Sequence, residues 1–424
     1  MNFFKGWGND YYKPLDNYKE YYAIIPQLNS VINEITNVTS QVEIKEVYID
    51  DNTEVENSRY VELLNKPNRW QNKAEFFTEA TINLLTQGAC IQHGDYFGNG
   101  NLKKNSQLFN LNAYSLMYPK LDGYYWNYTS LEKKNLLFIE NLPNGKQRKI
   151  PLKELNLIYD TINHALFGRG NNYSYNPEMF FCPISRIESI LYDLQIIINV
   201  NDALASLSDS PVQGILSQKH NNAQNAGAQI NAIQKAMIEA NVNGSGDYGA
   251  RIGAKKVIAT NESLEYLSLV PDLKKTVEAL IQVENKAKED IRVKFHVPKD
   301  VQDATSGEKG GSTFENQHMA ESRMVLTTCK GVTDKILNSL VEKNPLYFSK
   351  ELNGSNKSRP TKLIGLYDHL PSVIRGRDYE QRESIKFQTE SLNTLLDASQ
   401  KAKEQGIELN LKNYMSQNGL EDLL

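Results

Sequence analysis

HVPKDVQDATSGEKGGSTFENQ, residues 296–317, is a glycine-, serine- and threonine-bearing stretch between two segments with helical hydrophobic spacing. Loops of this length inside a compact domain are uncommon, and they are usually functional or disordered. A phosphate cradle of the Walker A type is disfavoured, because Lys309 precedes the paired glycines and no strand leads into the loop. The residues alone therefore leave a flexible connector as the default interpretation.

Long helices are predicted on both sides of this loop. Apolar residues recur at helical spacing over three long segments and one C-terminal segment, at 183–209, 271–298, 314–343 and 379–404. A small unit is inserted between the first two, with a helix at 228–241 and a strand pair near KKVIAT and SLEYLSL. The first of the long helices is acidic, because it contains one basic residue, Arg186, and four acidic residues, Glu188, Asp193, Asp202 and Asp209.

The N-terminal part of the chain mixes helices with short strands. One helix is predicted at 18–36, with Pro26 in its first turn, and another at 74–88, with Gly88 as its stop. Strand patterns occur at 42–51 and in several runs between 89 and 160, including the aromatic run GYYWNYTS. The sequence therefore predicts an α+β fold with helices packed on a mainly antiparallel set of strands.

Composition limits the function classes. The chain has 424 residues, 40% of them hydrophobic, so it can form a sizeable core, and its net charge of −4 gives no overall attraction for nucleic acid. The three cysteines form no CxxC pair and no zinc-ligand spacing with the six histidines, so we expect neither disulfides nor a metal site. The N-terminus lacks a signal-peptide pattern and no apolar run could span a membrane, so we expect a soluble intracellular protein.

Enzyme motifs are weak in this sequence. Gly244 to Gly249 spell a literal GxGxxG, but the segment before it has a helical pattern and the segment after it a strand pattern. A dinucleotide site requires the opposite order, so a glycine-rich turn is the better interpretation. No histidine or cysteine lies in a nucleophile or zinc-protease motif. We therefore expect no catalytic residues and no cofactor, with a nucleotide-binding enzyme using Gly244–Gly249 as the alternative.

Several short motifs occur in a characteristic order. A helix from Tyr22 leads into a strand, and it is followed by Leu63-Leu64-Asn65-Lys66-Pro67-Asn68, Phe76-Phe77 and the turn Gln87-Gly88-Ala89-Cys90. Further on come the long helix with its small insert, then Phe295-His296-Val297-Pro298 and Thr313-Phe314-Glu315-Asn316. In this order the chain resembles the portal proteins of long-tailed bacteriophages over about residues 20–345. The chain departs from the family's pattern in two places. Where the family has Gly-x-Ser-Pro before the first long helix, this chain has Phe180-Phe181-Cys182-Pro183 and keeps only the proline. The C-terminal segment is short and does not match the family residue by residue.

The resemblance implies a portal-like division of the chain. Its parts would be a mixed α/β wing at 1–182, stem helices at 183–209 and 269–298, a small α/β clip at 210–268, a tunnel loop at 299–313, a long wing helix with strands at 314–376 and a helical crown at 377–424. The resemblance also implies a ring, usually of twelve subunits, at one capsid vertex. The tunnel loop would face DNA with Thr305, Ser306, Gly307, Glu308, Lys309, Gly310, Gly311 and Ser312, with Lys309 nearest to the phosphates. The candidates to line the channel along the first stem helix would be Glu188, Asp193, Asp202 and Asp209.

The implied function is structural rather than enzymatic. Double-stranded DNA would be pumped through the ring by the large terminase subunit and would later leave into the tail. Further partners would be a head–tail adaptor at the clip, the major capsid protein and scaffold, with no membrane. The chain would be in the host bacterial cytoplasm during assembly and then at the portal vertex of the virion. Another phage head–tail adaptor or structural protein is the remaining alternative.

Overall fold

The structure is a computed structural model that describes residues 4–7, 10–14, 16–97, 102–122, 124–160, 177–209, 214–218, 264–268, 273–299, 312–348 and 359–404. The chain divides into two compact units. The first comprises Met1–Ser189 with Arg292–Leu424, and the second comprises Ile190–Ile291. Each unit is described separately below.

The first unit contains most of the helices. They are α1 (Tyr18–Ile24), α2 (Pro26–Thr39), α3 (Arg59–Asn65), α4 (Lys73–Gln87), α5 (Ser130–Asn135), α8 (Ser312–Met324), α9 (Lys330–Lys343), α10 (Pro345–Phe348) and α11 (Pro371–Glu404). The second unit contains α6 (Leu191–Asp209), and α7 (Leu273–Phe295) begins in the second unit and ends in the first. None of the described helices is both long and apolar enough to span a bilayer.

The strands of the first unit form three antiparallel sheets. A five-stranded sheet has the order β1 (Phe4–Trp7), β2 (Tyr11–Pro14), β6 (Leu116–Pro119), β7 (Leu137–Asn141) and β8 (Gln147–Pro151). A three-stranded sheet has β4 (Ala89–Gly94) between β5 (Leu108–Leu111) and β9 (Leu155–Tyr159), and a third pairs β3 (Glu43–Tyr48) with β12 (Thr361–Leu366). The mixed helix and sheet architecture predicted from the sequence is therefore present.

The N-terminal helix is interrupted, which differs from the single helix predicted at 18–36. Ile25 has extended dihedrals (φ −96°, ψ 107°), so α1 ends before it and Pro26 is the first residue of α2. The cause is local, because a proline ring disfavours helical dihedrals in the residue before it. The break leaves Ile24 71% exposed, whereas Ile25 and Leu28 are buried.

Helix α4 begins and ends where its sequence predicts. Asn72 and Glu75 form a capping box at its start, in which each side chain accepts a hydrogen bond from the other residue's backbone N–H. At its end Gly88 adopts the left-handed conformation (φ 74°), which glycine enters without steric cost. A Cβ atom at this position would lie 2.2 Å from the carbonyl oxygen of Ile184, because the chain leading towards α6 crosses directly over Gly88.

The aromatic run at 123–130 is not a strand, contrary to its alternating pattern. Tyr125–Asn127 form a 3-10 turn, in which the rings of Tyr124 and Trp126 stack at 4.6 Å. Tyr125 instead stacks on Phe180, with ring centroids 4.6 Å apart. Side-chain packing of the middle tyrosine against the core thus outweighs the strand propensity of the run.

The long helix that follows the quoted loop is continuous but irregular. Helices α8 and α9 are joined by a π-helical turn at Val325–Cys329, which the sequence pattern does not reveal. A π turn adds one residue and rotates the flanking faces against each other. Leu326, whose place in the apolar pattern of 314–343 predicts a core position, is accordingly 37% exposed, whereas Cys329 is fully buried.

Two further helix starts differ from their predictions. The helix predicted from Pro183 begins as a 3-10 turn at Arg186–Ile190 and becomes α-helical only at Leu191. The C-terminal helix predicted at 379–404 begins earlier, at Pro371, a residue type that is favoured in the first turn of a helix. Helix α11 therefore has 34 residues.

The second unit contains a two-stranded antiparallel ribbon. Strand β11 (Leu264–Ser268), within the predicted SLEYLSL strand, pairs with β10 (Gly214–Gln218). The predicted strand at KKVIAT and the predicted helix at 228–241 lie outside the described residues.

Candidate functional site

The end of α7, just before the quoted loop, is held firmly in the first unit. His296 adopts a left-handed conformation (φ 56°), and the backbone N–H of Val297 reaches back to the carbonyl of Arg292 at 3.0 Å. This is the hydrogen-bonded ending that closes many helices. Phe295 and Val297 are buried on either side of it, so the chain leaves α7 from a fixed point.

The π turn of the long helix contacts this same ending. The hydroxyl of Thr328 donates a hydrogen bond to the carbonyl oxygen of His296, with 3.4 Å between the two oxygens. Of the predicted loop residues, Thr305 to Gly311 lie outside the described residues, and Ser312 is the first residue of α8. The described structure thus defines both flanks of the loop.

An ion triad around a buried carboxylate lies at the start of the 3-10 turn that leads into α6. The carboxylate of Asp160, which follows β9, is completely buried. It accepts two hydrogen bonds from Arg186, through Nη2 at 2.8 Å and through Nε. The ammonium of Lys335 on α9 also binds it, at 3.0 Å from Oδ1. The guanidinium of Arg186 further lies 5.9 Å from the ring centre of Phe295, so one arginine connects β9, α9 and the end of α7.

The charges of the triad are mutually stabilised. Burial alone would raise the pKa of Asp160, but the hydrogen bonds and charge of Arg186 and the charge of Lys335 reverse this effect. The pKa of Asp160 therefore lies below its ordinary value. Within the described residues, Nη1 of Arg186 is buried without a hydrogen-bond acceptor.

The four carboxylates predicted as channel candidates lie on two elements, and their channel role stays a prediction. Glu188 lies in the 3-10 turn of the first unit, whereas the other three lie on α6. Asp202 is exposed, and Asp209 is the last residue of α6, seven residues further on the same face. Asp193 is nine residues before Asp202, which places it on the opposite side of the helix. The residue spacing of α6 thus divides these acids between two faces.

Two of these acids, Glu188 and Asp193, are partly buried. Burial raises the pKa of Asp193, and the nearby carboxylate of Asp290 raises it further, whereas Lys286 acts in the opposite direction. Glu188 lines an internal cavity of about 10 Å³ together with Tyr18 and Gln87. A cavity of that size holds about one water molecule. Glu188 therefore contributes to the interior of the first unit.

The described residues contain little that would support catalysis. All three cysteines are buried, and burial raises the pKa of each thiol, to about 12 for Cys329. Such thiols stay protonated and are poor nucleophiles. No group of three or more His, Cys, Asp or Glu in the described part of the chain could hold a metal ion. The GxGxxG segment, Gly244 to Gly249, lies outside the described residues.

Sequence reasoning missed the triad. Asp160 and Lys335 are 175 positions apart, and neither belongs to a motif. A signal was nevertheless available, because Arg186 is a lone cation next to an apolar helical stripe. A buried arginine requires a carboxylate partner, and that requirement predicts the pair without giving its position.

Comparison with known proteins shows similarity in structure but not in sequence. No protein-family profile matches the chain, and no curated protein matches it. Among solved structures, the chain is similar to one from the neck of an empty gene transfer agent particle computed with C6 symmetry, with a TM-score of 0.53 and 15% identity over 95% of this chain and 96% of that chain. A second is from the neck of the native particle computed with C12 symmetry, with a TM-score of 0.51 and 14% identity over 86% and 87%.

A weaker similarity exists to an HK97 family phage portal protein from Corynebacterium diphtheriae. Its TM-score is 0.46 and its identity 13%, over 83% of this chain and 96% of that chain. The two neck structures are 15% and 14% identical to this chain, and at such identities the similarity shows a shared fold alone. The chain therefore shares its fold with a chain from the neck of a gene transfer agent particle, over 95% of its own length.

Proposed function

We propose that this chain is a phage portal protein, which forms the ring-shaped DNA channel at one vertex of a capsid. The observation that carries the proposal is the shared fold over 95% of this chain and 96% of a neck chain, in a particle whose neck was computed with six- and twelvefold symmetry. The motif order from Tyr22 to Asn316 supports the same conclusion independently, because it depends on residues rather than on backbone geometry.

The charge distribution supports a conduit rather than a DNA-binding protein. Many phosphate contacts would make passage slow and salt-dependent. The net charge is −4, and α6 carries three acids and no basic residue. In the proposed ring, α6 and α7 would be the stem, residues 210–268 the clip that binds the adaptor, and 299–313 the tunnel loop with Lys309 closest to DNA. Terminase, the major capsid protein and scaffold would be further partners.

The ion triad has a specific role in this proposal. The loop leaves from Phe295 and returns at Ser312, and Arg186 connects the first of these flanks to Asp160 and Lys335. The triad would therefore hold the starting point of the tunnel loop at a constant height in every subunit. A ring whose loops all project from the same level would contact passing DNA evenly.

The proposal is tested by removing the gene from the phage or prophage that encodes it. Capsid shells without packaged DNA and without attached tails are the expected product, and a plasmid copy of the gene should restore packaging. Normal, DNA-filled and tailed particles in the absence of the gene would contradict the proposal.

A further inference from the structure

The loop between α3 and α4 presents a tryptophan to solvent, since Trp70 is 67% exposed. The loop itself is firmly held, because the buried side chain of Asn68 accepts hydrogen bonds from the backbone N–H groups of Trp70 and Gln71, at 3.0 and 2.9 Å. The amide of Asn68 donates to the carbonyl oxygen of Leu108 at 3.1 Å, and the backbone N–H of Leu108 donates to the carbonyl oxygen of Pro67 at 2.8 Å. The exposed ring therefore projects from a fixed support.

Two side chains contact the Trp70 ring. The guanidinium carbon of Arg69 lies 4.4 Å from the ring centre, which is within cation–π distance. Phe109 on β5 packs against the same ring, with 5.8 Å between the ring centres. One face of the indole is therefore covered by a cation, and a neighbouring strand supports the ring.

Residues 59–73 and 102–109 lie side by side and are here named the Trp70 surface. Arg59 on α3 donates a hydrogen bond from Nη1 to the carbonyl oxygen of Leu102 at 3.4 Å, and the two segments meet again at the contacts of Trp70 described above. These segments contain six basic residues and one acidic residue, a net charge of +5, whereas the whole chain carries −4. The Trp70 surface is therefore a basic region of an acidic protein.

The cations of the Trp70 surface are not neutralised within the protein. One acid, Glu62, lies within the surface, and Asp95 borders it, with its carboxylate accepting the backbone N–H of Gln107 at 3.2 Å. Five basic residues are exposed and form no ion pair with any described residue, namely Arg59, Lys66, Arg69, Lys103 and Lys104. The excess of cations produces a positive field around the tryptophan.

The chemistry of the Trp70 surface fits a protein partner. Tryptophan and arginine are the residue types that most often dominate binding at protein interfaces. Stacking of nucleic-acid bases requires open ring faces, but Arg69 covers one face of Trp70, and the other rings of the surface, Tyr60 and Phe109, are buried and half-buried. A protein segment that carries acids and an apolar side chain matches both the cations and the indole.

We propose that the Trp70 surface binds an acidic segment of a partner protein. An apolar side chain of that segment packs against Trp70, and its carboxylates pair with Arg69, Lys103 and Lys104. The fixed loop lowers the entropic cost of binding, because the indole and the guanidinium are in place before the partner arrives. The inference is independent of the proposed ring, since every contact that carries it lies within one copy.

The test uses the full chain and a fluorescein-labelled peptide in which glutamate and aspartate flank a central Leu-Phe pair. Fluorescence anisotropy should show saturable binding that weakens as salt is raised, and a peptide with serine in place of each acid should not bind. Trp70→Ala should weaken binding about tenfold. Lys103→Glu combined with Lys104→Glu should weaken it by a similar factor and should also flatten the salt dependence.

Matched control variants make the same chemical changes elsewhere. Trp126→Ala removes another tryptophan that is 60% exposed. Lys146→Glu combined with Lys149→Glu reverses two exposed cations at the β7–β8 hairpin. Both controls should bind the peptide within about twofold of the unmodified chain, because neither touches the Trp70 surface. A benzophenone group in the peptide should cross-link to residues 59–73 or 102–109, identified by mass spectrometry.

Several results would overturn the inference. Absence of saturable binding, equal losses in the control variants, or cross-links confined to other residues would each do so. Duplex DNA that binds more tightly than the peptide and is weakened by the same variants would make this a nucleic-acid surface instead. Binding by free chains that disappears in assembled rings would show that a second copy of the chain covers the surface. None of these results bears on whether the chain forms rings, which is measured separately.

Discussion

Replacement of Asp160 by asparagine is the sharpest test of the junction between β9, α9 and the root of α6. The substitution keeps the shape of the side chain and removes its charge. It leaves the guanidinium of Arg186, whose side chain is only 13% exposed, without its counter-ion. It also turns one acceptor oxygen into an N–H donor that faces other donors, since Arg186 and Lys335 both donate to this carboxylate.

The size of the effect follows from burial. Removal of one partner from a buried ion pair costs about 3–5 kcal/mol, because the remaining charge is left uncompensated. Lys335 is 40% exposed, so water screens its interaction with the Asp160 carboxylate, and the lower value of about 3 kcal/mol applies to the substitution. This is a substantial part of the roughly 5–15 kcal/mol by which domains are ordinarily stable. Denaturant unfolding of Asp160→Asn at neutral pH measures the loss.

A matched control is available on the surface. Asp368 pairs with Arg377, and both side chains are about half exposed (54% and 52%). Asp368→Asn makes the same chemical change and should cost no more than about 1 kcal/mol. A loss for Asp160→Asn that is no larger than that of the control would refute the reasoning.

The pH dependence provides a second refutation. The pKa of Asp160 is lowered in the folded protein, so its stabilising contribution is present above its ordinary pKa and is lost as the pH falls through the lowered value. The stability difference between the unmodified protein and Asp160→Asn should therefore be largest near neutral pH and decrease in acid. A difference that stays constant down to strongly acidic pH would show that the carboxylate's charge is not the cause.

The remaining predictions concern glycines and the loop. Gly88→Ala should lower the free energy of unfolding by about 3 kcal/mol or more, because the new Cβ would lie 2.2 Å from the carbonyl oxygen of Ile184 and the residue would be strained in the left-handed conformation. Gly145 has a similar φ but no atom within 4 Å of an added Cβ, so Gly145→Ala should cost only about 1–2 kcal/mol. Gly376→Ala should destabilise the protein by about 1–3 kcal/mol, because the new Cβ would collide with Ser322 where α8 and α11 pack together. Gly331→Ala on α9 should raise the free energy of unfolding by about 0.5–1 kcal/mol, because alanine favours the helix and no atom lies within 4 Å of the new Cβ. Thermal and denaturant unfolding of each variant measures these values, and equal effects within either pair would contradict the packing argument. Deletion of Thr305–Gly311 should leave assembly intact and impair packaging or retention of DNA, measured by particle DNA content. Loss of assembly on deletion would show that the loop is a structural element.

Elements with local signals were predictable from the sequence. Helix α4 is defined by a capping box at Asn72 and by Gly88, and both act within a few residues of the helix end. The mixed fold class and the long helix up to Phe295 followed from periodicity alone. The loop between the long helices stays a prediction, because residues 300–311 lie outside the described residues, and its interpretation depends on the motifs that flank it.

Features that depend on distant contacts were not predictable. The aromatic run around Tyr125 is a turn because Phe180 lies beside it, 55 positions further along the chain, and no local pattern reports that contact. The π turn at Val325–Cys329 changes which residues face the core without any change in composition. The Asp160 triad joins three separate segments, so only the need of Arg186 for a partner was visible beforehand.

Cryo-electron microscopy of the purified full-length chain tests the central claim most directly. We predict closed rings of about twelve copies, with a continuous axial channel wide enough for double-stranded DNA and with residues 299–313 on its wall. A chain that stays monomeric under all assembly conditions, or that forms assemblies without an axial opening, would contradict the account.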